Sequence, residues 1–273
     1  MNEHLLDGVL VRGAVYLALA ISAGPILWAW LVEHSHAVAI PRWRVITAVV
    51  LLAFAGLVGI VQATFAFAER WSFAGASMVL SETTYGRVLA IHLVTSLGYV
   101  VALASRRSVP TIAGALAATL TITLLGHAAV QAGAHVAIQV VHAAAAIAWL
   151  GGLVALIERI ARRDLSVAAV LRFSRLALAL VGVLAVTGLA RTASFVVGGA
   201  RELVWPGVLI VKLGFFAGAL AVAYTHRHTG FQGLRDAETD VAWRGFQRLL
   251  ILEMWLVACA LLLAALLSQL PPP

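Results

Sequence analysis

Apolar segments of about twenty residues follow one another along almost the whole chain. An α-helix needs roughly 20 residues, at about 1.5 Å each, to cross about 30 Å of hydrocarbon. Eight segments meet this length, near residues 9–31, 45–67, 85–104, 109–127, 135–157, 170–192, 205–225 and 247–270. With 62% hydrophobic residues and a mean hydropathy of +0.99, the chain cannot surround itself with a polar surface. The sequence therefore predicts an all-α, polytopic membrane protein with eight transmembrane helices.

The basic residues predict the orientation, because Lys and Arg accumulate in cytoplasmic loops. Most of the 19 basic residues fall in four of the connections, those between the first and second, third and fourth, fifth and sixth, and seventh and eighth segments. Both termini are therefore expected on the outer side. The net charge of +7 is divided among loops, which argues against a nucleic-acid surface.

A weak internal similarity suggests a duplication. Residues 83–94 align with residues 203–214, which places His92 opposite Lys212. Such a repeat predicts two parallel four-helix halves, residues 1–134 and 135–273, because four is an even number of spans. The alternative is that apolar helices rich in Leu, Val and Ala resemble one another by composition.

Ionisable residues inside predicted spans are the strongest functional candidates, since an uncompensated polar group in hydrocarbon costs several kcal/mol, of order 2–7. His142 lies seven residues below His135 in the fifth span, about 10 Å deeper on nearly the same face. His92 lies at a similar depth in the third span, and His127 ends the fourth at its outer rim. Four histidines are thus predicted in the outer half of the membrane.

From His142 onward the chain resembles the copper resistance protein D (CopD) family of bacterial inner-membrane proteins. The similar stretches are HAAAAIAWLGGL (142–153), RFSRLALALVGVLAVTGLAR (172–191), WPGVLIVKLGFF (205–216) and a last helix with Glu253 that ends in SQLPPP. The resemblance implies a multi-pass protein of the bacterial inner membrane that moves copper from the periplasm to the cytoplasm. The termini expected on the outer side would then be periplasmic.

Copper chemistry suits the histidines, because imidazole binds both copper oxidation states and a thioether binds Cu(I). We expect His92 and His142 to form an intramembrane metal site. His127, His135 and Met78 would recruit copper above it, although rim histidines are also common as interfacial polar residues. The expected partners are the copper ion, the lipid bilayer and a periplasmic copper-binding protein.

Two other intramembrane charges lie at different depths. Lys212 would repel a cation and is interpreted as a structural or gating charge. Glu253, nearer the cytoplasmic end, is expected to bind a cation or to pair with a basic residue such as Arg248. His226 is expected in a solvated cytoplasmic loop.

Two alternatives share the same ligands. His92 and His142 could be the axial ligands of haem b in a membrane cytochrome, or the protein could deliver copper to an assembling partner without a through-path. No nucleotide-binding motif and no nucleophile and base set are present, so the chain is not expected to be an enzyme.

Overall fold

The computed structural model describes residues 5–34, 40–125, 133–164, 166–196, 204–230 and 240–270. The helices are α1 (Leu5–Leu31), α2 (Arg42–Ala68), α3 (Phe73–Glu82), α4 (Thr84–Ala104), α5 (Ser108–Leu124), α6 (Ala134–Ala161), α7 (Val167–Val196), α8 (Val204–Thr225) and α9 (Asp240–Leu267). A π-helix, His226–Gly230, continues α8. These described ranges contain no β-strand, which confirms the predicted all-α class.

Seven of these helices are long and apolar enough to cross a membrane, so the expected count of eight is not confirmed. The difference is α5, which has 17 residues and would span only about 26 Å at about 1.5 Å per residue. The sequence placed the end of this span at residue 127, but the helix stops at Leu124.

The ten-residue helix α3 was not predicted, because its segment is too short to be recognised as a span. Its start is capped by the hydroxyl of Ser72, which accepts a hydrogen bond from Gly75 N at 2.9 Å. The hydroxyl of Thr83 caps α4 in the same way, accepting from Gly86 N at 2.9 Å. Gly86 lets the two helices meet closely, since a Cβ there would collide with the carbonyl oxygen of Val79. Local capping therefore builds a helical corner on the predicted outer side.

Helix α1 lies at the centre of the molecule and packs against α2, α5, α6 and α9. Val15 and Leu19 are fully buried. It approaches α6 closely at Gly24 and Gly151, which face each other, and a Cβ on either would overlap the opposite backbone. Because α1 packs so extensively on α6 and α9, residues 1–134 and 135–273 share one core. The division into two repeats stays a prediction.

Ion pairs join α1, α2 and α6 at the predicted inner side. The side chain of Arg44 is fully buried, forms a salt bridge with Glu158 and donates to the carbonyl oxygen of Ile21 at 2.5 Å. Arg159 pairs with Glu33 through both terminal nitrogens, with Nη1 and Nη2 each 2.8 Å from one carboxylate oxygen. Arg44, which lies in the predicted connection between the first and second segments, is therefore a buried link between helices.

Candidate metal and ion site

A cavity of about 420 Å³ lies between α1, α6, α7, α8 and α9. Its lining extends from His135, near the start of α6, to Trp149, 14 residues further along and therefore about 21 Å away by helix rise. Phe216 packs edge-on against Trp149 at this deeper end, with 6.0 Å between ring centroids. The cavity thus occupies the half of the molecule predicted to face the periplasm.

His142 projects from α6 into this cavity, and its hydrogen bonding fixes the form of the ring. Nδ1 lies 2.8 Å from the hydroxyl oxygen of Thr187 on α7. That hydroxyl also lies 2.6 Å from the carbonyl oxygen of Val183, to which it can donate its proton, so we assign it as the acceptor from His142. The proton therefore sits on Nδ1, and the lone pair of Nε2 is free to bind a metal. This is the arrangement that second-shell partners impose on metal-binding histidines.

His92 has the same local arrangement but a different setting. Its Nδ1 lies 2.8 Å from the hydroxyl of Thr121 on α5, which donates to the carbonyl oxygen of Ala117 at 3.0 Å. The ring is 3% exposed and is not part of the cavity lining. The structure therefore brings His142 and His135 to one cavity and leaves His92 outside it.

The other predicted ligands are dispersed. Met78 lies on α3, 39% exposed, and does not line the cavity. His127 lies outside the described residues. Among the residues that the structure describes, no group of three or more His, Cys, Asp or Glu side chains is placed to hold a metal ion. A shared site for His92 and His142 stays a prediction, and His142 is the candidate that combines an accessible nitrogen with a cavity.

Three cationic side chains also line the cavity: Arg12 from α1, Arg191 from α7 and Lys212 from α8. Arg191 is close enough to both Arg12 and Lys212 for their like charges to repel one another. Arg12 and Arg191 lie near the ends of the first and sixth predicted segments and were not among the predicted site residues. Their convergence with Lys212 depends on how three separate helices pack, so no local sequence signal reveals it.

Glu253 of α9 lies beneath the cavity with 2% exposure. Its Oε1 accepts a hydrogen bond from Trp149 Nε1 at 3.1 Å, and its Oε2 lies 2.6 Å from His226 Nε2. The expected pairing with Arg248 is therefore replaced by a bond to His226. The expectation that His226 lies in a solvated loop is wrong, because the π-helix turns this ring inward against Phe246. The sequence offered no signal for this extra turn.

The fold and cavity define a class: an all-α, multi-pass membrane protein with ionisable side chains converging inside the helix bundle. Residues 167–267 match the family model of copper resistance protein D (CopD), which confirms the predicted family resemblance over that region. Curated proteins and solved structures gave no match. The matched region covers α7 to α9 and so includes Thr187, Lys212, His226 and Glu253, while His135 and His142 precede it.

Proposed function

We propose that this protein carries copper through the bacterial inner membrane, from the periplasm to the cytoplasm, without hydrolysing a nucleotide. The match to the CopD family supports involvement in copper resistance. The observation that carries the finer proposal is the geometry of His142: Thr187 holds Nδ1, and Nε2 is left as a ligand beside a membrane cavity. Copper is the cargo of this site, and a periplasmic copper-binding protein would supply it.

The proposed order of contacts follows depth. His135 is exposed at the start of α6 and would take copper first, and His142 would receive it about 10 Å deeper. Imidazole is a suitable ligand for either copper oxidation state. Below them, the hydrogen-bonded series Trp149, Glu253 and His226 extends from the cavity toward the predicted inner side. Glu253 would offer a carboxylate to a passing cation after releasing one of these bonds.

Radiolabelled copper uptake by proteoliposomes tests the proposal. We expect His142→Ala to lower the initial rate at least about tenfold, because it removes a metal ligand. Thr187→Val should weaken copper binding by about 10- to 100-fold, the usual effect of losing a second-shell partner, while Thr187→Ser should retain it. His228→Ala is the matched control, because that ring is exposed and lies outside the cavity lining.

Uptake by His142→Ala at the wild-type rate would contradict the proposal. A Soret band in the purified protein, lost in both His92→Ala and His142→Ala, would support the haem b alternative. Copper that binds at His142 but never reaches the vesicle lumen would instead support delivery to a partner protein.

A further inference from the structure

The cavity lining includes a buried cation, Arg12, with one nitrogen that no described protein residue satisfies. Arg12 is 2% exposed, and its Nη2 is enclosed without a hydrogen-bond partner. A guanidinium has five N–H donors and keeps its charge at any physiological pH. Enclosing one of these charged donors without an acceptor is unfavourable, which favours a bound acceptor such as an anion beside Nη2.

Lys212 extends the positive charge across the cavity. Its ammonium group has no ion-pair or hydrogen-bond partner among the residues that the structure describes, and it interacts electrostatically with Arg191. Arg191 in turn interacts with Arg12 and Tyr16. Cations from α1, α7 and α8 therefore converge on one volume, which lies beside the imidazole of His142.

No carboxylate belongs to the described lining of this cavity. Glu253, the buried acid nearest its floor, is already bonded to Trp149 and His226. Asp7 lies on α1 more than one helical turn before Arg12 and is not a lining residue. The electrostatics of the cavity therefore favour an anion over an uncomplexed cation.

The packing of the helices indicates where such an anion could enter. Helix α7 packs on α6 and α8 packs on α9, whereas α7 and α8 scarcely contact each other in the part of the chain that the structure describes. Both nevertheless line the cavity, with apolar side chains such as Leu189, Leu209 and Leu213. The cavity is thus bordered on its α7–α8 side by apolar residues where the surrounding medium is expected to be lipid.

We propose that Arg12 and Lys212, together with Arg191, bind the phosphate group of an anionic phospholipid, whose acyl chains lie on the apolar walls between α7 and α8. A guanidinium fork pairs with two phosphate oxygens at once, and the ammonium supplies a second, point-like contact. This site does not depend on the copper proposal. A phospholipid phosphate beside His142 would also offset the positive charge that a copper ion has to approach.

Native mass spectrometry and thermal unfolding of the delipidated full-length protein test this inference. The probes are phosphatidylglycerol, zwitterionic phosphatidylcholine and inorganic phosphate. We expect phosphatidylglycerol to bind most tightly, and Arg12→Gln/Lys212→Gln to weaken it about tenfold or more, because charge-assisted hydrogen bonds are lost. Arg87→Gln is the matched control, since Arg87 is exposed at the start of α4 on the same predicted side.

A second readout separates a binding role from a structural one. Without lipid, Arg12→Gln should unfold at the same or a higher temperature than wild type, because an unpaired buried charge is removed; with phosphatidylglycerol it should gain less stability. If the double variant does not fold, Lys212→Gln alone is compared. Equal phosphatidylglycerol binding by wild type and folded variants would overturn the inference, as would tight binding of inorganic phosphate without lipid preference. Failure of copper uptake alone would leave it standing.

Discussion

The buried carboxylate of Glu253 gives the sharpest prediction for stability. Replacing it by alanine removes a 2.6 Å contact to His226 and a 3.1 Å hydrogen bond from Trp149. The first is a short bond to a charged acceptor, worth about 1.5–3 kcal/mol, and the second contributes about 1 kcal/mol. His226 already has an enclosed Nδ1 without a partner, so the substitution would leave both ring nitrogens unsatisfied. We expect Glu253→Ala to lower the free energy of unfolding by about 3–5 kcal/mol.

Thermal unfolding in detergent, followed by circular dichroism, measures this change. A loss of that size should lower the midpoint by roughly 10 °C in a chain of this length. Glu253→Gln should cost only about 1–2 kcal/mol, because the amide keeps the shape of the side chain and can bond to both neighbours. Glu82→Ala is the control, since this carboxylate ends α3 at an exposed position.

A double-mutant cycle measures the coupling energy between Glu253 and His226. If Glu253 and His226 stabilise each other, the effects of Glu253→Ala and His226→Ala must fall short of additivity by about 1–3 kcal/mol. Strictly additive effects, or a midpoint for Glu253→Ala within 2 °C of wild type, would refute the assignment of this pair as a structural link between α8 and α9.

Two further predictions concern helix contacts away from the cavity. Gly151→Ala should destabilise the protein by about 2 kcal/mol or more, because its Cβ would lie 2.7 Å from the carbonyl oxygen of Ala20 on α1; Gly182→Ala, with no atom within 4 Å of the new Cβ, should be neutral or stabilising in the same unfolding assay. Glu158→Leu should cost about 3–5 kcal/mol by leaving the fully buried guanidinium of Arg44 without its carboxylate, and Arg44→Leu/Glu158→Leu should recover much of that loss; a double variant no more stable than Glu158→Leu would contradict this account of the pair.

The helical class could be predicted from sequence because it depends on local quantities. An apolar run of about twenty residues constrains a segment wherever it lies, since its backbone polar groups must be satisfied within the helix. The number of spans was harder to predict. Helix α5 ends only a few residues before the predicted fourth segment does, but this leaves it shorter than the hydrocarbon thickness of a membrane. Helix α3 was missed because ten residues are too few to cross a membrane, so its segment did not meet the length criterion.

The candidate site could be predicted only in part, because the burial of a residue depends on local sequence but its neighbours depend on tertiary packing. The cost of burying an ionisable ring singles out His142 and His92 without any knowledge of neighbours. Which of them faces a cavity depends on contacts between segments that are distant in sequence. The hydrogen bond between His142 and Thr187, for example, joins residues 45 positions apart. For His226 the sequence predicted the wrong environment. Its position among basic residues in a short connection indicates solvent exposure, whereas the π-helix directs the ring to Glu253.

His92 and His142 differ in their surroundings more than in their hydrogen bonding. In each case Nδ1 lies 2.8 Å from a threonine hydroxyl that is also within hydrogen-bond distance of its own helix backbone, so the two rings are held in the same way. The difference lies in packing. His92 is enclosed where α4 lies against α5, whereas His142 faces the space between α7 and α8, two helices that scarcely touch. Both α7 and α8 lie within residues 167–267, the region that matches the CopD family model. The gap between these two helices, which leaves His142 accessible, is therefore a feature of the matched region.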